Sequence, residues 1–94
     1  LECMREIGCK RIIFSSTGGA LFDDDQLPYD ESMAPSPTSP YGIAKLTFER
    51  YLDFYSRQYG FEATILRYAN VYGPRQNPLG EAGVVSIFCD MIER

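Results

Sequence analysis

Histidine is absent from the 94 residues, and cysteine occurs only at Cys3, Cys9 and Cys89, without metal-ligand spacing. A zinc site is therefore hard to build from this chain, no metal is expected, and the cysteines read as reduced, small apolar residues. Basic clusters are lacking too: nine Lys and Arg stand against thirteen Asp and Glu, for a net charge of -4. Duplex binding leans on many phosphate contacts by Lys and Arg, so no nucleic-acid partner is expected. No apolar run approaches the roughly 18 residues of a membrane span, and nothing resembles a secretory leader. We expect no membrane partner and a cytoplasmic location. Internal repeats and low-complexity tracts are also missing.

What is present is an ordinary hydrophobic share of 45%, enough in this length for one small core. Leu1 falls inside what reads as a helix tail, Arg94 inside an amphipathic stretch, and there is no initiator Met. We therefore expect residues 1–94 to be an internal part of a longer domain.

Leu1, Met4 and Ile7 lie at helical spacing, and Gly8 suits the position just past a helix end. The short apolar run RIIFSS (11–16) predicts a strand buried on both faces. Residues 22–40 hold Asp23, Asp24 and Asp25 and four prolines, which predicts one long surface loop with a solvated acidic tip. Residues 41–59 read as a helix, with Ser39 as N-cap, Pro40 in the first turn and Gly60 at the end. On it, Ile43, Leu46, Tyr51, Leu52 and Phe54 are available for burial, while Lys45, Glu49, Arg50, Asp53 and Arg57 are the polar positions. ATILR (63–67) predicts a second strand, residues 68–83 a loop, and residues 84–94 a last helix. Strand, helix, strand in that order implies a right-handed parallel crossover and hence an α/β fold, a part of a doubly wound, Rossmann-like sheet.

Tyr41 and Lys45 are four residues apart, about one turn up the same helix face. A free phenol ionises near pH 10, so a Tyr acting as a base at neutral pH needs a nearby cation to stabilise its anion, which Lys45 supplies. Reacting groups in open parallel sheets gather beyond the carboxyl ends of the strands, where Ser15, Ser16 and Thr17 fall. A Thr17 hydroxyl there is placed to hold a substrate hydroxyl within proton-transfer reach of Tyr41. Arg67 and Arg75 are candidates for phosphate contact, against the more common fate of a solvated or paired Arg.

The segments IIFSSTGGA, SPYGIAK and LRYANVYGPRQ together resemble the extended short-chain dehydrogenase/reductase family, that is, NAD-dependent epimerases and dehydratases. The stretch from Arg67 to Val85 looks closest to the family's members that epimerise UDP-glucose at C4. The resemblance implies that Thr17, Tyr41 and Lys45 are catalytic, with Tyr41 the general base, Lys45 its electrostatic support and Thr17 the substrate-orienting hydroxyl. It further implies an NAD cofactor held by Ser15, Ser16, Tyr41, Lys45 and Tyr68, and a nucleotide-sugar substrate held by Thr17, Asn70 and Val84. Gly80 to Val84 would line the uridine pocket, and a homodimer through the Tyr41 helix is the usual assembly.

Two departures accompany the likeness. Phe22 and Asp23 stand where family members usually have a Tyr-Gly pair, and the glycine-rich phosphate-binding turn lies nowhere in these residues. Gly18 and Gly19 do not replace it, since their spacing is wrong. Dehydratases of the family usually carry an acidic pair where Gly18 and Gly19 stand, which favours an epimerase. Sister dehydratase, reductase or decarboxylase reactions, and a non-catalytic nucleotide-binding fragment, are the alternatives.

Overall fold

The computed structural model describes residues 1–22, 28–79 and 83–93. The elements run α1 (Glu2–Glu6), β1 (Arg11–Thr17), a 3-10 turn (Gly19–Leu21), α2 (Pro40–Tyr59), β2 (Glu62–Tyr68) and α3 (Val84–Glu93). Residues 28–39 form neither helix nor strand. The acidic tip predicted at Asp23 to Asp25 lies outside the described residues.

The helix boundaries follow from local chemistry. Ser39 sits in extended backbone, and its hydroxyl accepts the Gly42 N–H at 3.0 Å, satisfying a donor that has no partner inside the helix. Pro40 occupies the first turn, where its missing N–H costs nothing. At the other end Gly60 enters the left-handed region at φ 68, and the chain turns back with Gly60 N–H on the Ser56 carbonyl and Phe61 N–H on the Tyr55 carbonyl. Gly8 ends α1 in the same way at φ 77, with its own N–H on the Arg5 carbonyl and Cys9 N–H on that of Met4.

β1 and β2 pair in parallel, in register from Arg11 opposite Glu62 to Thr17 opposite Tyr68, so each strand runs slightly beyond the apolar run that marks it. The ladder goes one bond further, Gly18 N–H donating to the Tyr68 carbonyl at 2.7 Å. α2 packs against both strands, with the Phe48 ring 4.5 Å from that of Phe14. The fully buried apolar side chains are Leu21 below the first turn of α2 and Leu52 midway along it, joined by the nearly buried Phe22 and Phe61.

Two burial expectations are corrected. Among the described residues the strands are covered by α2 on one face: Ile13 is 72% exposed, and Leu66 is exposed with it. On α2, Ile43, Tyr51 and Phe54 are exposed, while the supposedly polar Glu49 is 5% exposed. The helix turns Glu49, not its aromatic stripe, toward the sheet, because the charge is met there by partners on both strands.

Candidate active site

A cleft of about 580 Å³ opens at the carboxyl ends of β1 and β2. Ser15, Ser16, Thr17, Tyr41, Lys45, Tyr68 and Asn70 all line it. The parallel crossover accounts for this convergence. Both strands end on the same side of the sheet, and α2 begins there, with Tyr41 in its first turn.

Lys45 is fixed from below. Its ammonium donates to the Ser15 carbonyl at 2.7 Å and lies 5.0 Å from the centre of the Phe14 ring and 5.6 Å from that of Tyr41. At these separations the ring faces attract the cation. An ammonium has several N–H donors, so the bond to Ser15 leaves others for a ligand hydroxyl. The Tyr41 ring is 56% exposed, open to the cleft side. Thr17 closes β1, half-buried, with its hydroxyl oxygen 3.5 Å from the Ala20 amide nitrogen, a weak contact that leaves the hydroxyl proton uncommitted.

Beneath the cleft is a buried polar network. Glu49, two turns beyond Tyr41 on α2, accepts the Ser16 hydroxyl at 2.5 Å and is gripped by the Arg67 guanidinium at 3.1 and 2.6 Å. Ser16 and Arg67 are register partners, so the carboxylate ties both strands at one rung. Burial pushes the Glu49 carboxyl up, but the hydrogen bonds from Arg67 and Ser16, with the charge of Arg67, outweigh it and hold the group below its ordinary value near 4.5. The same pairing raises the Arg67 guanidinium further.

A pH dependence follows. A carboxyl whose folded value lies below its unfolded one adds stability that is complete above about pH 4.5 and fades as pH falls through the folded value. Stability against denaturant should therefore fall below about pH 4.5, and Glu49→Gln should flatten that acid limb while lowering stability at neutral pH. An acid limb unchanged by the substitution would remove Glu49 as its source.

Sequence-predicted residues divide as follows. Seven reach the cleft, but the Ser16 side chain is buried and its hydroxyl proton is spent on Glu49, which leaves it no proton to donate to a cofactor. Arg67 is likewise not a phosphate ligand in this arrangement, since its guanidinium faces Glu49. Val84 does not line the cleft; its neighbour Gly83 does, and Val84 opens α3, 42% exposed. Residues 80–82 of the predicted uridine segment lie outside the described residues. Glu49 and Gln76 are the residues that sequence reasoning missed. Gln76 lines the cleft, and its Oε1 is buried without a hydrogen-bond partner among the described residues. The signal for Glu49 was its place four residues after Lys45, on the same helix stripe as the Tyr41 pair.

Among the described residues no cluster of His, Cys, Asp or Glu could hold a metal ion, and no helix is long and apolar enough to cross a membrane.

The pattern of the NAD dependent epimerase/dehydratase family matches residues 1–94. A putative UDP-glucose 4-epimerase of Methanocaldococcus jannaschii is 52% identical over 91 residues, which cover 96% of this chain and 30% of that relative. Among solved structures, the UDP-glucose 4-epimerase of Thermotoga maritima with UDP-glucose superimposes at a TM-score of 0.86 and 56% identity, covering 93% of this chain and 29% of its own. The UDP-glucose 4-epimerase of Thermus thermophilus in complex with NAD does so at 0.81 and 47%, with the same coverage. The chain thus spans about three-tenths of the length of the relatives it matches.

Proposed function

Because the chain belongs to the NAD dependent epimerase/dehydratase family, we propose that it is the catalytic part of a longer, NAD-dependent enzyme that epimerises a nucleotide sugar at C4, of the UDP-glucose/UDP-galactose type. The observation that carries this reading is the convergence of Thr17, Tyr41 and Lys45 on one cleft at the ends of two parallel strands. The glycine-rich turn and the far wall of the sugar pocket would come from the rest of the protein.

The residues present fit the nicotinamide end of the cofactor: Lys45 has N–H donors to spare for ribose hydroxyls, and the exposed Tyr68 ring flanks the same cleft. When bound beside Lys45 and Tyr68, NAD would supply a reversible hydride acceptor for the sugar C4. Tyr41, as phenolate, takes the proton from the sugar O4 hydroxyl, and Lys45 stabilises that anion. Thr17 hydrogen-bonds O4 and keeps it in reach for the transfer. The sugar is then a 4-keto species. Once it presents its other face, Tyr41 gives the proton back to O4, the stereocentre is inverted, and the residues return to their starting state. Asn70 is assigned to the nucleotide-sugar side of the pocket.

Ile43, Tyr51 and Phe54 lie on one exposed face of α2, away from Glu49. Such a stripe supports assembly of the longer protein as a homodimer through this helix. The acidic composition, without a basic cluster, supports an enzyme without a nucleic-acid partner.

The test is to add UDP-galactose to the full-length protein and look for UDP-glucose. We expect conversion toward equilibrium without net consumption of added cofactor. No conversion by protein with cofactor bound would overturn the epimerase reading.

A further inference from the structure

From the network beneath the cleft we infer that Glu49 is a positioning residue for the reaction, one that sets the height and register of α2 over the sheet and so places Tyr41 and Lys45. The inference rests on the catalytic reading of Tyr41 and Lys45 given above. Glu49 does not line the cleft; it acts through the helix it stands on.

Four observations carry it. First, Tyr41, Lys45 and Glu49 recur every four residues along one stripe of α2, so what Glu49 grips determines where the other two sit. Second, two successive turns of α2 are bolted to two successive residues of β1: Lys45 to the Ser15 carbonyl at 2.7 Å and Glu49 to the Ser16 hydroxyl at 2.5 Å. A slide of the helix by a fraction of a turn would break both. Third, Arg67 brings β2 into the same bond set, with two hydrogen bonds to the carboxylate from the register partner of Ser16. The next rung of the ladder is Thr17 opposite Tyr68, the pair that edges the cleft. Fourth, Glu49 is 5% exposed although it carries a charge, and an apolar residue there would need no polar partners. A buried ion pair is weak evidence for stability, since well-packed apolar replacements often serve as well or better. What it supplies here is geometry: a forked donor from one strand and a hydroxyl from the other admit one placement of the carboxylate.

The experiment uses the full-length protein with its cofactor, comparing wild type with Glu49→Gln and Ser16→Ala. Kinetics are expressed per folded, cofactor-loaded active site, so loss of folded protein does not enter. For Glu49→Gln we expect kcat to fall by at least tenfold with KM for the nucleotide sugar within about threefold, the pattern of a group felt in the transition state and not in substrate binding. Ser16→Ala leaves the Glu49–Arg67 pair in place and should fold even if Glu49→Gln does not; for it we expect a kcat loss of three- to tenfold, again at constant KM. Crystal structures of whichever variants fold should show the Lys45 Nζ to Ser15 carbonyl contact lengthened beyond hydrogen-bond range. Unchanged kcat in Ser16→Ala, or an undisturbed Lys45 contact in the variants, would overturn the inference. Should wild type fail to convert UDP-hexoses, the reaction reading falls while the Lys45 contact still decides the positioning role.

Discussion

A Tyr41→Phe version of the full-length protein is expected to fold, to keep its cofactor, and to lose about 10²- to 10⁴-fold in kcat, the range for removing a positioned acid–base group. In barrier height that is about 3–5 kcal/mol. The substitution is clean because of what surrounds the ring. Helix α2 starts from the Ser39 cap and Pro40, neither of which uses the phenol oxygen. Lys45 is held by the Ser15 carbonyl and the Phe14 ring, so it stays in place when the Tyr41 oxygen is gone. A phenylalanine ring offers the same face to the ammonium. Only the atom that exchanges a proton with the substrate is removed, so KM should change little. Steady-state kinetics with UDP-galactose check this. A loss below about tenfold, or a loss residing in KM, would mean that Tyr41 is a wall of the cleft and not its base.

Gly42→Ala is expected to destabilise the protein by about 3 kcal/mol or more, at the upper end of overpacking costs. Helix propensity alone predicts the opposite sign, since alanine is favoured over glycine in a helix by about 0.5–1 kcal/mol. Packing decides. A Cβ at Gly42 would be driven into the Ala20 carbonyl oxygen, with the Ala20 carbonyl carbon at 3.1 Å and Pro37 Cβ at 2.9 Å. Two of these are backbone atoms of the 3-10 turn, which rests on the buried Leu21 and cannot swing aside as a side-chain tip can. Relief requires the first turn of α2 to lift from the strand ends. Tyr41 sits in that turn, so activity should fall along with stability. Denaturant titration at constant slope gives the stability change; an unchanged or raised midpoint would show that the close approach yields cheaply.

These two residues mark what a linear reading of the chain can and cannot reach. Ser39, Pro40 and Gly60 act through neighbours within a turn, so their effects are written locally, and the helix they bound runs where their spacing places it. The parallel pairing of β1 and β2 follows from strand, helix, strand order and chain handedness. With those in hand, the gathering of Thr17, Tyr41, Lys45, Tyr68 and Asn70 at one end of the sheet needs only the rule for open parallel sheets.

The inward face of α2 was not legible in the same way. Hydropathy ranks Glu49 as a surface residue and Tyr51 and Phe54 as core, because it scores each side chain against water and not against the partner it will meet. Burial of Glu49 depends on Ser16 and Arg67, thirty-three residues before it and eighteen after. Neither partner is marked by local spacing. The same long-range bond explains why the Ser16 hydroxyl and the Arg67 guanidinium turn inward and not to a ligand. The first strand reads as covered on both faces because its apolar content is that of an interior strand; the described residues supply one layer. Exposed Ile13 and Leu66 are what such a strand looks like with its second face open.

The most direct measurement of the central claim follows the hydrogen on the sugar carbon. If Tyr41 takes the proton of the O4 hydroxyl, the hydrogen on C4 never meets solvent. UDP-galactose deuterated at C4, turned over by the full-length protein in ordinary water, should yield UDP-glucose that retains deuterium at C4, as read by mass spectrometry or NMR. Deuterium replaced by solvent hydrogen would contradict the account, since it would mean that the base in this cleft removes a proton from carbon.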